Sequence, residues 1–507
     1  MIDIGSGLSV VFDPQIMGLI LLGLVIGVVI GAIPGLNVPL AVAITLPITF
    51  YLEPVGGIAM LVGIYKGGTY GGSISAVLIN VPGVPASAAT ALDGYELTRQ
   101  GKAGKALKMS LYASGFGALL SDLALIFFAV PVAVMALRIG PPENFALGLF
   151  ALTLIAVLSQ GNMLKGLISG LFGIFLASFG LDPLTGSYRL TFDVPQLTAG
   201  WTFIALIIGV FAIAEAIELA QKRASDVQKA EGVRLDSADH RLSGAEMRSV
   251  VPTLLRSGPL GVAIGAVPGL GSAIAAFFSY GVARSFSKKP EEYGKGSLEG
   301  IAAAESANNG VTSSTFIPLL TLGIPGDVIT AIMLGAFMVH GLVPGPSLFQ
   351  QHGDFVAALF VTMVVGTILL VVVARLGMRL FLQASRVPDR ILFPIVVVLC
   401  FTGTYVATHN FFDMYATLGF GVLGFAMKRF GFPIAPLLIG FILGPLVEVG
   451  LRQSLYMSAD SLAIFVTRPI PLLFLSMAVL TVFVVAWQEY RAGAATRRAR
   501  REGEGQP

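Results

Sequence analysis

Glu305 stands just before Asn308 and Asn309 in the segment EGIAAAESANNGVTSS, residues 299–314, which ends in Ser313 and Ser314, coupling-ion candidates together with Glu305. Small amides and hydroxyls hold a carboxylate ligand without a fixed counter-charge. A glutamate among them, in an otherwise apolar stretch, has three roles open to it: carrying a coupling proton, helping to hold a cation, or pairing with Lys66 of an earlier apolar stretch. The chemistry is binding and ion exchange, not bond making. A matching polar set, Asn37, Ser73, Ser75 and Asn80, lies in the first half of the chain, and Ser272 and Thr312 extend the set in the second. Helix packing also selects such residues, so packing is favoured for any single serine, and the functional reading centres on Asn308 and Asn309.

These residues must be positioned by interrupted helices. GVVIGAIPGLN at residues 27–37 recurs as GVAIGAVPGLG at 261–271, and each half carries a second break, Pro82-Gly83 and Pro325-Gly326. Proline removes a backbone donor and clashes with the preceding turn, while glycine permits a sharp reversal, so one helix ends and another begins. At membrane depth such irregular backbone survives only inside protein or along a polar cavity. The new helix start offers free N–H groups to a carboxylate, and the preceding helix end offers carbonyls to a sodium ion. Asp327, directly after the second tip, either caps the new helix or binds an ion. Asp93 is expected to close a turn near the cytoplasmic face. Asp122, Glu215 and Asp413 are expected in interhelical hydrogen bonds or at the interface.

The 507 residues are 55% hydrophobic and 12% charged, with a mean hydropathy of +0.84. This is the composition of an all-α polytopic membrane protein with roughly 11–15 membrane segments. A net charge of +3 without a basic stripe speaks against nucleic acid. The single Cys400 reads as a small buried side chain, and the four histidines show no ligand spacing, so neither cofactor nor metal is expected. No cleavable signal peptide is expected, because Asp3 and Asp13 stand where a basic region would be needed. Apolar stretches at 15–50, 57–97, 250–284 and 297–340 exceed one crossing and read as broken helices or helical hairpins.

Lys and Arg clusters at 99–108, 222–256, 284–295, 386–390, 428–429 and 491–501 mark the inner side. The N-terminus then lies outside, the C-terminus inside, and corresponding loops of the two halves fall on opposite sides. The organisation expected is a first repeat at 1–220, a cytoplasmic connector at 221–249, an inverted second repeat at 250–465, an extra helix at 466–490 and a basic tail at 491–507.

Together GAIPGLN, YKGGTYGGS, INVPGVPASAATALDGYELTRQGKAGKAL, EGIAAAESANN and PLLTLGIPGD resemble the TctA family, the large permease subunits of tripartite tricarboxylate transporters. The resemblance covers nearly the whole chain. It implies a bacterial inner-membrane permease working with a small TctB-type membrane subunit and a periplasmic TctC-type solute-binding protein. It also implies ion-coupled uptake, by Na+ or H+, of citrate and other di- or tricarboxylates without ATP hydrolysis. Lys66 departs from the family pattern, which commonly has a neutral or aromatic residue beside Tyr65; it either alters the charge preference or snorkels toward the interface.

The expected activity is alternating access, with substrate and cation meeting near the midplane at the paired break tips. Without a Walker A loop, a GxSxG elbow or an HExxH pair, ATPase and hydrolase readings are disfavoured. The alternatives are a TRAP-type carboxylate transporter subunit and, further off, a membrane enzyme or a passive channel.

Overall fold

A computed structural model describes residues 3–158, 163–221, 242–384 and 389–503. All four over-long apolar stretches are broken where proline and glycine fall. In the first half, α1 (Ile4–Val11) leads to α2 (Pro14–Ala32) and α3 (Val38–Thr49), which meet at the first PGL; α4 (Pro54–Ile79) and α5 (Ser87–Arg99) flank Pro82-Gly83. After α6 (Ala103–Ala136) come α7 (Pro141–Leu158) and α8 (Met163–Ala177). A short antiparallel hairpin of β1 (Gly180–Leu181) and β2 (Tyr188–Arg189) follows, pairing Gly180 with Arg189. The half closes with α9 (Phe203–Ile207), a π-helical turn at Ile208–Ile213 and α10 (Ala214–Gln221).

The second half begins with α11 (Gly244–Gly265) and α12 (Gly271–Phe286) around the second PGL. It continues through α13 (Leu298–Ser314), α14 (Phe316–Leu322), α15 (Val328–Val339), α16 (Pro346–Gln351) and α17 (Gly353–Ala384). It ends with α18 (Asp389–Thr408), α19 (Phe411–Arg429), α20 (Ile434–Met457), α21 (Ile464–Thr467) and α22 (Pro469–Gly503). The stretch at 297–340 is thus cut twice. Pro318 cannot donate to the carbonyl of Ser314, so α13 gives way to α14 at Thr315 before the Pro325-Gly326 break. Gly323, at a φ of 70°, ends α14 in the left-handed conformation that glycine adopts at low cost.

Helices α2, α6, the Phe203–Gln221 run, α17, α20 and α22 are long and apolar enough to cross a membrane. The protein is therefore an all-α polytopic membrane protein. Most of the expected connector, residues 222–241, lies outside the described residues.

The chain forms two compact units, residues 1–137 with 202–425, and 138–201 with 426–507. Each half of the sequence contributes to both. In the larger unit α2 and α4 approach through glycines. A Cβ at Gly27 would lie 2.4 Å from the Ile64 carbonyl oxygen, one at Gly67 2.4 Å from that of Leu24, and one at Gly71 2.5 Å from that of Val28. The second PGL helix repeats the arrangement: a Cβ at Gly261 would lie 2.3 Å from the Ala307 oxygen of α13. Such contacts give small residues their role between membrane helices, where dispersion rather than water exclusion drives packing. Cys400 is buried in an apolar cluster with Ile208 and Val396. In the smaller unit α20 packs on α8 by the same device, with Gly440 over Gly170 and Gly173 over Leu437.

Candidate functional site

Two helices of the larger unit are enclosed on every side: α4 from Gly56 to Ile79 and α13 from Gly300 to Ser314. A helix with no exposed face has to satisfy its polar side chains against other helices. Three hydrogen-bond networks do this for Tyr65, Lys66, Ser73, Glu305 and Ser313.

The first centres on Lys66, 1% exposed. Its Nζ donates to Asp122 Oδ1 of α6 at 2.7 Å, to Thr367 Oγ1 of α17 at 2.9 Å and to Ser313 Oγ of α13 at 3.1 Å. Asp122 is held in turn by Thr367 Oγ1 on Oδ2 at 2.6 Å and by Ser313 Oγ on Oδ1 at 2.5 Å. Ser121 Oγ accepts the backbone N–H groups of Ser313 and Ser314, at 3.1 and 2.7 Å. The lysine neither snorkels nor pairs with Glu305. Its stem is clamped in the core, and Asp122, expected from sequence in an interhelical hydrogen bond or at the interface, is its counter-ion. Taking both charges out of water costs several kcal/mol per ion, and mutual attraction with complete hydrogen bonding offsets that cost.

The second network surrounds Glu305, which is fully buried. Ser73 Oγ of α4 donates to Oε1 at 2.5 Å, Thr90 Oγ1 of α5 donates to the same oxygen, and Ser114 Oγ of α6 donates to Oε2 at 2.7 Å. Ser73 also shares a hydrogen bond with Ser87 at 2.9 Å. Asn309 Nδ2 bonds back to the Glu305 carbonyl at 3.1 Å and lies 3.4 Å from Oε2. Hydroxyls from three helices of the first half thus meet one carboxylate of the second, a set suited to a proton or a small cation.

The third lies at the second break. Asp327 Oδ1 caps α15 by accepting the Thr330 N–H at 2.8 Å, and Thr330 Oγ1 accepts the Asp327 N–H at 2.9 Å. Asp327 Oδ2 receives the Tyr65 hydroxyl at 2.7 Å. Asp327 is thus a helix cap whose second oxygen ties the break to α4, one residue before Lys66. The backbone of this tip is also tied down, because the Gly269 N–H of the second PGL donates to the Gly326 carbonyl at 2.8 Å. At the first tip a Cβ on Gly83 would lie 2.2 Å from the Gly31 carbonyl oxygen, so only glycine fits.

Asn308 is buried, and neither its amide oxygen nor its nitrogen finds a hydrogen-bond partner among the described residues; Asn309 Oδ1 shares that condition. Buried orphan amides are costly and stand out as ligand-binding candidates beside the ion networks.

The remaining residues fall elsewhere. Asn37 caps α3 through the Leu40 N–H at 2.9 Å, and its Nδ2 lies 3.5 Å from Glu215. Ser75 bonds the Gly72 carbonyl at 3.3 Å. Asn80, with φ at 57°, ends α4 on the exposed surface, and Pro82 is exposed while Pro325 is buried. Ser272 is half-buried in the first turn of α12 and takes no part in the three networks. Ser314 Oγ bonds back to the Gly310 carbonyl at 3.0 Å, within its own helix. Asp413 accepts the Thr202 hydroxyl at 2.8 Å.

Asp93 differs most from expectation. It lies within α5, not in a turn, and is fully buried. Its Oδ1 accepts the N–H groups of Gly294, Gly296 and Ser297 at 2.8, 2.9 and 2.8 Å, and Oδ2 accepts the Tyr280 hydroxyl at 2.9 Å. Gly294 and Gly296, at φ of 79° and 102°, shape the concave loop of amides that receives this carboxylate. The sequence signal for it is the YGKG loop itself, whose partner lies in the other half of the chain.

A cavity of about 550 Å³ between α6, α11 and α14 is lined by apolar side chains including Leu120, Phe128, Val262, Ile317 and Leu322. It offers no group to hold a carboxylate, and the polar networks remain the site.

The ordered breaks and the polar residues beside them agree with the comparison with known proteins, in which the family model described as "Tripartite tricarboxylate transporter TctA family" matches residues 17–439. The chain belongs to the TctA family. An Agrobacterium vitis relative, named as an uncharacterized 52.8 kDa protein in the TAR-I ttuC' 3' region, is 39% identical over 451 residues, 89% of each chain. A second, named as an uncharacterized protein in the TAR-II ttuC' 3' region of the same organism, is 38% identical over 232 residues, 46% of this chain and 96% of its own. No solved structure matches. Membership of the TctA family makes the chain a multi-pass membrane protein of a tripartite transport system.

Proposed function

We propose that this chain is the large permease subunit of a binding-protein-dependent secondary transporter in the bacterial inner membrane, importing di- or tricarboxylates of the citrate type. The observation that carries the reading is the meeting of Glu305 with hydroxyls of three helices from the other half of the chain, beside the Asn308 amide, which has no hydrogen-bond partner among the described residues. A carboxylate so enclosed binds its coupling ion only when these helices are assembled, so ion occupancy biases one conformation over another. A ligand shifts a conformational equilibrium only by such differential affinity.

In this reading Glu305 carries the coupling cation, a proton or a sodium ion, with no other cofactor. Asn308, Asn309 and the Pro325-Gly326 tip face the substrate carboxylates, and the Tyr65–Asp327 bond moves the tip with α4. A TctB-type small membrane subunit and a TctC-type periplasmic solute-binding protein complete the system. The repeats are inverted, and the chain itself is not an enzyme.

The test is uptake of radiolabelled citrate into proteoliposomes holding the permease with its small subunit, the binding protein outside, and a sodium or proton gradient imposed separately. Accumulation above the external concentration under one gradient supports the reading and names the ion. Equilibration without accumulation in both would replace it with a passive channel. No uptake of any di- or tricarboxylate by an intact complex would remove it.

A further inference from the structure

The transport reading makes no use of Lys66, buried in the core. Its ammonium sits in a ring made only of oxygen atoms: Asp122 Oδ1, Ser313 Oγ and Thr367 Oγ1, at 2.7, 3.1 and 2.9 Å. An ammonium has three N–H donors, and the ring has three acceptors. These ligands come from α6, α13 and α17, while the lysine comes from α4.

The ring members also bond to one another and to a neighbouring serine. Thr367 and Ser313 both donate to the Asp122 carboxylate, and Ser121 fixes the backbone at Ser313 and Ser314. A carboxylate with two hydroxyls is the hard-oxygen environment that alkali and alkaline-earth cations take. Asp122 supplies one negative charge, and a single monovalent cation balances it.

We propose that the Lys66 ammonium is a tethered cation filling a monovalent-cation site, and that Asp122, Ser313 and Thr367 bind sodium once the lysine is removed. The intact chain then keeps this positive charge fixed in its core and exchanges no mobile ion at this place. Any coupling ion binds elsewhere. The proposal concerns equilibrium binding in the folded protein and stands or falls separately from the transport reading.

The experiment uses the full chain, purified in detergent as Lys66→Ala and as Lys66→Ala with Asp122→Asn. Alanine keeps Cβ and removes the other three stem carbons with the ammonium, which leaves room for the ion with water to complete its shell. Melting is followed at constant ionic strength in sodium, potassium or choline chloride. The expected result is a saturable rise of a few degrees in Tm for Lys66→Ala in sodium, absent in choline, absent from the double variant and absent from the unsubstituted protein at this site. Binding of 22Na+ to Lys66→Ala above the level of the unsubstituted protein, abolished by Asp122→Asn, is the matching direct readout.

An equal Tm for Lys66→Ala in all three salts would overturn the proposal. So would failure of Lys66→Ala to assemble even when membranes are prepared in sodium, since the claim is that sodium stands in for the ammonium. A sodium effect of the same size in the double variant would place the ion at another site and overturn it equally.

Discussion

Lys66 and Asn309 occupy the same position in the two halves of the molecule. Gly27 seats on Ile64 as Gly261 seats on Ala307, Gly31 on Gly68 as Gly265 on Val311, and Gly83 on Gly72 as Gly326 on Thr315. This register places Lys66 opposite Asn309, and Tyr65 opposite Asn308. One half therefore carries a paired ammonium where the other carries an amide bonded to Glu305. Equivalent backbone thus supports unlike chemistry, and the ion networks are not symmetric.

The Lys66–Asp122 pair is expected to behave as a unit. In potassium buffer Lys66→Met alone leaves a buried carboxylate uncompensated and destabilises the protein by about 3–5 kcal/mol, whereas adding Asp122→Leu restores most of that loss. Denaturation of the single and double variants in detergent checks this. Additive losses would show that the two groups do not compensate each other.

Glu305→Gln keeps one carbonyl oxygen to accept the Ser73 and Thr90 hydroxyls, places an NH2 donor toward Ser114, whose hydroxyl turns to accept, and removes the ionisable group. The variant is expected to reach the membrane and exchange labelled for unlabelled substrate, yet to lose uphill accumulation. Accumulation at the unsubstituted level would take Glu305 out of the coupling step.

The glycine seam between α2 and α4 predicts a steep positional contrast. Gly27→Val drives a side chain into the α4 backbone and is expected to cost at least about 1–3 kcal/mol, with loss of assembled protein. Gly18→Ala, where a Cβ meets nothing within 4 Å, is expected to be silent. Membrane yield and melting of the two variants decide it, and equal behaviour would deny the seam its role.

Acid sensitivity is expected from the hairpin of the smaller unit. Asp182 accepts the Thr185 and Leu184 N–H groups at 2.9 and 2.8 Å, and Arg452 at 2.7 Å. The Thr185 amide first, and then Arg452, hold its carboxyl well below the usual range. A carboxyl lowered on folding contributes stability that is complete above its unfolded value, near pH 4, and is lost as pH falls toward the folded one. Tm is therefore expected to drop below about pH 4, and Asp182→Asn to lower Tm at neutral pH and flatten that drop. An unchanged slope in the variant would assign the acid loss to other groups.

Inverted repeats predict that cysteines placed in the 284–295 and 341–354 loops label from opposite sides of the membrane, the basic loop from the cytoplasm. Labelling of both from one side would establish parallel repeats.

The sequence by itself determined the four Pro-Gly breaks, though not the further cut at Thr315. Proline and glycine act through local donor loss and backbone freedom, so the breaks at 34–35, 82–83, 268–269 and 325–326 were legible without a fold, as was the apolar composition of a membrane protein. It also singled out Glu305, Asn308 and Lys66, because polar groups stand out against an apolar background. It did not pair them. Asp122 lies on α6, Thr367 on α17 and the amides that hold Asp93 in the loop before α13. Which of them meet depends on how the helices are set against one another along their glycine seams, and only the tertiary structure decides that. The same limit turned a supposed turn aspartate into an anchor between the two halves. Hydrogen bonding reaches about 3 Å, and residues hundreds of positions apart come within that range only when packing has fixed every helix in register.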